Sequence, residues 1–284
     1  AVVTNIEAEH LDTYRDLDDI KASFTQYANA VPFFGAAILC LDDPQVQEIV
    51  SNVDRRVVTY GISRQADIRA ENVEQLGLQT RFRVVAGSDE LGVVTLQLPG
   101  LHNVRNSLAA IAVGLELEIT FDQIQSALSR FTGVQRRFQK VGEVGDVMIL
   151  DDYAHHPTEI AATLEAAVSG FPKRRIVAVF QPHLYSRTRD FRNEFARVFF
   201  NADVLVLTDV YGSREQPIPG VDGQMLADLA IRYGHRDVNY VQDKEQLPER
   251  VAELVRPGDL VITMGAGDVY KAGIRLLERL RAQQ

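Results

Sequence analysis

The run Asp151-Asp152-Tyr153-Ala154-His155-His156-Pro157-Thr158-Glu159 sets two carboxylates and two imidazoles between the apolar segment Val147–Leu150 and a helical pattern. Open α/β sheets bind ligands beyond the carboxyl ends of their strands, where such a handover occurs. Imidazole titrates near neutrality and suits proton transfer. Pro157 fits a first helical turn, and a helix start offers unpaired N–H groups to an anion. Read without chemistry, the stretch is an Asp cap followed by two solvated histidines. A second loop, Gln181-Pro182-His183-Leu184-Tyr185-Ser186-Arg187-Thr188, follows the next apolar segment and brings more cationic and imidazole groups to the same edge. That favours chemistry over capping.

These loops need a scaffold, and the pattern supplies one. Beyond Gly133–Lys140, strands are expected at 144–150, 175–180, 204–210, 238–241 and 260–263. Helices are expected at 157–170, 188–201, 221–233, 243–255 and 269–281. Strict βα alternation implies a mostly parallel, Rossmann-like sheet with helices on both faces. The first half is also α/β. An opening strand at 1–6 precedes a helix capped by Asp16, with Leu17, Ile20, Phe24 and Tyr27 as its apolar stripe. A strand at 36–41 leads through Asp42-Asp43-Pro44 into a short helix, and a further strand at 57–60 is closed by Gly61. Alternation across 67–98, with Gly87 and Gly92 at turns, predicts two or three antiparallel strands. Helices follow at 102–118 and 121–131, the second opened by a Thr120/Gln123 capping box.

Composition bounds the function. The chain has 284 residues, enough for two domains, and a net charge of −9. No basic stripe suited to nucleic acid is expected. No apolar run approaches the roughly 20 residues that span a bilayer, and no signal peptide is visible, so a cytoplasmic setting is expected. The single cysteine, Cys40, lies in an apolar run and is read as a buried thiol. The sequence opens on Ala1 and runs straight into an apolar strand, as expected of a piece of a longer protein.

Five patches together resemble the Mur ligase family: Thr4-Asn5-Ile6-Glu7-Ala8-Glu9-His10-Leu11-Asp12, the P-G-L-H-N-V-R-N-S-L-A-A stretch at 99–110, Arg136-Arg137-Phe138, the stretch at 151–159 and the loop at 181–188. Within the family the pattern is most similar to the branch that joins L-alanine to UDP-N-acetylmuramate. The resemblance implies an ATP- and Mg2+-dependent amide ligase of peptidoglycan precursor synthesis that works through an acyl phosphate. It makes residues 1–133 the later part of a central ATP-binding domain and 134–284 a Rossmann-like domain for the incoming amino acid. It further implies two lobes that close over the triphosphate. The family's G-x-x-G-K-T phosphate loop is missing from this sequence, and Gly265-Ala266-Gly267 with Lys271 lacks its spacing. The chain alone is therefore expected to be inactive.

Residue by residue, the resemblance implies that Glu7 binds magnesium, with His10 orienting it or the phosphates. Asn29 stands where relatives carry a second ligand, just before Pro32-Phe33-Phe34-Gly35, and would be a weak uncharged one. His102, Asn103 and Asn106 would contact adenine, the two amides on one helical face; His102-Asn103 also fit a helix cap. Arg137 would reach the γ-phosphate, and Arg136 beside it reads as solvated. Asp152 would bind the ribose. Tyr153, His155 and Arg187 would surround the amino acid, with Arg187 on its carboxylate and His155 holding or deprotonating its amine. His183 reads as a loop histidine bonded to backbone. Two alternatives stand beside this one: the related ligase that attaches a recycled peptide to the same sugar, and a non-catalytic dinucleotide-binding Rossmann module. Against the latter, no G-x-G-x-x-G follows the strand that ends at Asp151.

Overall fold

The computed structural model describes residues 1–8 and 13–283; His10 lies outside them. The chain divides into two compact units, Ala1–Thr132 and Gly133–Gln284. Each builds its own six-stranded sheet.

The first unit runs β1 (Val2–Val3), α1 (Leu17–Asn29), β2 (Ala37–Cys40), α2 (Pro44–Val50), β3 (Val57–Gly61), β4 (Ile68–Leu76), β5 (Gln79–Ala86), β6 (Asp89–Leu96), α3 (Leu101–Glu116) and α4 (Phe121–Arg130). Its strands lie in sequence order. The first four are parallel, and β4–β5–β6 form an antiparallel meander. Side chains alternate across the sheet. Ala37 and Leu39 pack on α1 and α2 with Ile20, Ala28 and Val46, while Ile38 and Cys40 join Val104, Leu108 and Ile111 of α3 on the other face. The expected stripe of α1 needs one correction, because Tyr27 is exposed and Ala28 takes the inward place. Gly92 is also not a turn. It sits inside β6 at a bulge, at φ +145°, with Phe121 of α4 covering it.

The second unit runs β7 (Gln139–Val144), β8 (Val147–Asp152), α5 (Pro157–Gly170), β9 (Ile176–Phe180), α6 (Tyr185–Asp190), α7 (Arg192–Val198), β10 (Val204–Thr208), α8 (Gly223–Arg232), β11 (Val238–Val241), α9 (Leu247–Leu254), β12 (Leu260–Met264) and α10 (Tyr270–Ala282). The strand order is β11-β10-β9-β12-β8-β7, parallel except for β7. The antiparallel β7 was not expected. The helix expected at 188–201 is two short helices and a 3-10 turn, starting three residues earlier. Both faces are covered. On one, Ile149, Val177, Val206 and Val261 of the sheet share a core with Leu247 and Val251 of α9 and with Leu276 and Leu277 of α10. On the opposite face Phe180 packs against Phe195 and Phe199.

This order reverses direction around β9, β12 and β8. The chain leaves β9 for β10 and β11, then returns to insert β12 between β9 and β8. A doubly wound sheet opens a crevice where its order reverses. The loops at 153–156, 181–184 and 265–269 end the three strands concerned. Among the described residues no helix is long and apolar enough to cross a membrane.

Tight contacts fix the register of helix on sheet. A Cβ at Gly223, the first residue of α8, would stand 2.3 Å from the Thr208 carbonyl oxygen. Backbone cannot swing aside as a side chain can. Gly223→Ala is expected to cost about 2 kcal/mol, the scale of overpacking, read as a lowered urea midpoint at unchanged slope.

Candidate active site

Asp151 and Asp152 belong to β8 itself, so their side chains leave on opposite faces. They do not form a carboxylate pair. Asp151 follows Ile149 onto the α10 face. It accepts from Thr263 Oγ1 at 2.7 Å and from Arg136 Nε at 3.0 Å. Burial raises its pKa against those two partners. Asp152 follows Leu150 onto the α5 face and is buried. Its two oxygens accept from the Phe138 and Ala154 amides at 2.9 and 2.8 Å. Burial pushes its pKa up to about 6. Asp152 thus accepts one amide hydrogen bond at each oxygen, and the Phe138 bond ties the 136–138 segment to the strand.

Arg136 is the residue the sequence concealed. Instead of being solvated, its guanidinium donates to buried Asp151, to Gly267 O at 3.1 Å and to Gly265 O at 2.6 Å. It lies over the rings of Tyr153 and Tyr270, 5.0 and 4.7 Å from their centres. Its carbonyl accepts from Tyr153 N at 2.6 Å. Gly265-Ala266-Gly267 is therefore a turn whose carbonyls hold an arginine. Non-glycine residues with positive φ gather around this edge: Arg136 (+59°), Phe138 (+49°), Leu184 (+67°) and Ser213 (+53°). Strained backbone of this kind persists where surrounding contacts over-determine it.

Arg137 is the outward member of the pair. Its side chain is 49% exposed, bonds Glu159 Oε1 at 3.1 Å and lies over Tyr153. Tyr153, His155, His183 and Tyr211 form a chain of ring contacts 5.2 to 5.8 Å apart. His155 Nδ1 sits 2.9 Å from Tyr153 O and 3.2 Å from Glu159 Oε2. His156 caps α5 and packs on Phe191. His183 does not bond backbone through its ring as expected. Its Nδ1 is buried without a hydrogen-bond partner, and burial together with His155 and Arg187 lowers its pKa to about 4. The last of these effects places the Arg187 charge near the His183 imidazole. Arg187 rides on α6, whose start has no side-chain cap of its own. Glu215 supplies one from a distant loop, accepting from Ser186 N at 2.9 Å and from Ser186 Oγ. So the structure brings Arg137, Tyr153, His155 and Arg187 to one edge, and adds Arg136, His183, Glu159 and Glu215.

In the first unit, β1 ends at Val3, so half-buried Glu7 stands four residues past it rather than at its end. Asn29 is engaged within the unit. Its Nδ2 donates to Asn52 O at 2.9 Å and its Oδ1 accepts from Asp54 N at 2.7 Å, so the amide splices α1 to the loop before β3. Among the described residues no group of three or more His, Cys, Asp or Glu side chains is set to hold a metal ion. Gly100, at φ +98°, is the N-cap of α3, so His102 and Asn103 lie inside the first turn. Asn103 Nδ2 donates back to Pro99 O at 2.7 Å, and Asn106 is exposed. Asp43, not Asp42, caps α2. Asp42 instead accepts from the Ile62 and Ser63 amides and from Arg105 Nε at 2.9 Å, which pins the start of α3 to the ends of β2 and β3.

Residues 1–114 match the family described as Mur ligase middle domain, and residues 136–267 match Mur ligase, glutamate ligase domain. By these two domains the chain belongs to the Mur ligase family. It is 63% identical, over 99% of its length, to the UDP-N-acetylmuramate--L-alanine ligase of Salinibacter ruber, and covers 59% of that protein. It is 50% identical to the ligase of the same name from Trichlorobacter lovleyi, covering 62% of it. The solved UDP-N-acetylmuramate-alanine ligase of Thermotoga maritima superposes with a TM-score of 0.78 at 27% identity, over all of this chain and 60% of that one. The chain thus spans about three fifths of the length of these relatives.

Two outcomes follow from the geometry. Arg136→Met strands the Asp151 charge in the interior and is expected to cost about 3 kcal/mol, whereas Arg137→Met removes a solvent-screened pair and should cost less than about 1 kcal/mol; urea unfolding of both variants checks the contrast. His183 has its pKa depressed, so the unfolded chain takes up its proton first as pH falls. Its contribution to stability is intact above the ordinary histidine pKa of about 6.5 and is lost as pH falls toward 4. Between pH 7.5 and 5, the stability of wild type relative to His183→Asn should fall by about 2 kcal/mol. Asp151 and Asp152 are common to both proteins and cancel in that difference.

Proposed function

We propose that this chain is the nucleotide- and amino-acid-handling part of an ATP-dependent ligase that joins L-alanine to UDP-N-acetylmuramate, a cytoplasmic step toward peptidoglycan. The observation that carries this reading is the cluster of Arg137, Tyr153, His155 and Arg187 at the order reversal of the second sheet. The names of its close relatives support it.

Making an amide from a carboxylate requires an activated acyl group. In the proposed reaction the carboxylate oxygen takes the γ-phosphoryl group of ATP, giving an acyl phosphate as the bond from the γ-phosphorus to the bridging oxygen breaks and ADP leaves. The amine lone pair then forms the C–N bond, and phosphate departs with the electrons of the broken C–O bond. Arg187 suits the carboxylate of a zwitterionic amino acid, since a guanidinium matches a carboxylate in charge and fork. Tyr153 forms a wall that favours a small side chain. Arg137, outward and only loosely paired, is the cation offered to the transferring phosphoryl group. In the first unit His102 and Asn106 are offered to an adenine edge, while Asn103 holds the turn that presents them. Magnesium, when bound, would neutralise phosphate charge, and Glu7 would supply it a carboxylate. One carboxylate is enough for a hard ion that keeps waters and phosphate oxygens around it.

The sequence contains no phosphate loop of the G-x-x-G-K-T type. Purified chain is therefore expected to bind ligands and to show no Mg-dependent ligase rate. In thermal-shift runs with ATP–Mg, L-alanine and NAD taken separately, ATP–Mg and L-alanine at a hundredfold excess over Kd should stabilise the chain by roughly 2.7 kcal/mol. Stabilisation by NAD alone would overturn the reading in favour of a dinucleotide module.

A further inference from the structure

The amine that attacks an acyl phosphate arrives as an ammonium ion and must lose a proton. Resting on the function proposed above, we infer that Glu159 is the positioning residue for this step: it fixes His155 in the tautomer whose Nε2 carries the lone pair, and it couples that imidazole to Arg137.

Four observations carry the inference. First, both groups facing His155 Nδ1 are acceptors, the Tyr153 carbonyl at 2.9 Å and Glu159 Oε2 at 3.2 Å. An acceptor-lined nitrogen holds the proton, so the lone pair lies on Nε2. Second, Glu159 is itself fixed by the backbone. Its Oε2 accepts from the His155 and His156 amides at 2.9 and 3.2 Å in the capping box of α5. Third, its other oxygen takes Arg137 at 3.1 Å, so one carboxylate spans the base and the phosphoryl-facing cation. Fourth, Glu159 stays ionised. Burial opposes this, but the His155 amide and the charges of His155 and Arg137 hold its pKa below the usual carboxylate range.

The other side of His155 is occupied by the His183 ring, 5.7 Å away, with Arg187 beyond it. Glu159 is the anion set beside this imidazole. In the step itself, His155 Nε2 accepts a proton from the ammonium, and the freed lone pair forms the C–N bond. A carboxylate behind a histidine that has the proton on its near nitrogen is the general device for orienting an imidazole base.

The test separates this role from helix capping. Glu159→Gln keeps an oxygen for the two capping amides and removes the charge; Glu159→Ala removes both. With 15N-histidine label and His155→Gln to assign the signals, long-range spectra at alkaline pH should show wild-type His155 as the Nδ1–H tautomer. In Glu159→Gln the fold should remain, by amide spectra, while His155 becomes a tautomer mixture. L-alanine affinity, followed by titration on the same samples, should fall at least about tenfold, as for loss of a charged hydrogen-bond partner. Wild-type His155 in the Nε2–H form overturns the inference. So does a Glu159→Gln chain that binds L-alanine within twofold of wild type. Absence of L-alanine binding by the wild-type chain would count against the amino-acid reading and, with it, against any role for Glu159 in that step, whereas the tautomer spectra alone decide whether Glu159 orients the ring.

Discussion

One buried ion pair organises the candidate site. Arg136 reaches from the segment before β7 to Asp151 in β8, and its remaining donors take carbonyls in the turn after β12. Three separate pieces of chain thus meet on one guanidinium. A buried carboxylate is costly alone, and an arginine with five fixed donors is the group best able to satisfy it and its surroundings. The pair contributes little by Coulomb attraction after desolvation is counted. What it supplies is position: the segment at 136–138, with positive φ at Arg136 and Phe138, is tied at both flanks, Arg136 to Asp151 and Phe138 to Asp152.

The alternation of a β-strand explains why two adjacent aspartates do such different work. Asp151 and Asp152 end a strand whose every side chain is buried. One clamps the α10 face and the other the α5 face. Both are tied into the fold by hydrogen bonds, and the more exposed groups come one loop later. Tyr153, His155 and Arg137 lie just outside the strand end, where backbone geometry no longer sends consecutive side chains inward.

Much of this was legible in the sequence. The βα alternation after Gly133, the loops after β8 and β9, the Asp16 cap, the Thr120 capping box and the Pro157 helix start are all local signals, and the structure contains them. What escaped was non-local or depended on phase. The strand was expected to stop at Leu150; extending it by two residues turned a supposed carboxylate pair into two anchors. Arg136 and Arg137 are identical in type, and the one that turns inward is the one with positive φ and with partners in β8 and the turn after β12. Asn29 and Asp42 face partners 20 and more residues away, which no spacing rule foretells. A faint signal existed for Glu159: it lies three residues after His156, the spacing of a capping box. Reading it as a cap alone misses that its second oxygen is left over for Arg137.

The two histidines at the site show how environment divides chemical labour between identical side chains. His155 has a carboxylate and a carbonyl at one nitrogen. His183 has a tyrosine ring stacked at 5.8 Å, a buried nitrogen with no hydrogen bond and the Arg187 charge nearby. The ring contact sets the two imidazoles 5.7 Å apart. Burial, with the His155 and Arg187 charges, holds His183 toward its neutral form, while His155 turns one nitrogen to two acceptors. That arrangement rests on Glu159, whose Oε2 is fixed by the His155 and His156 amides at the start of α5.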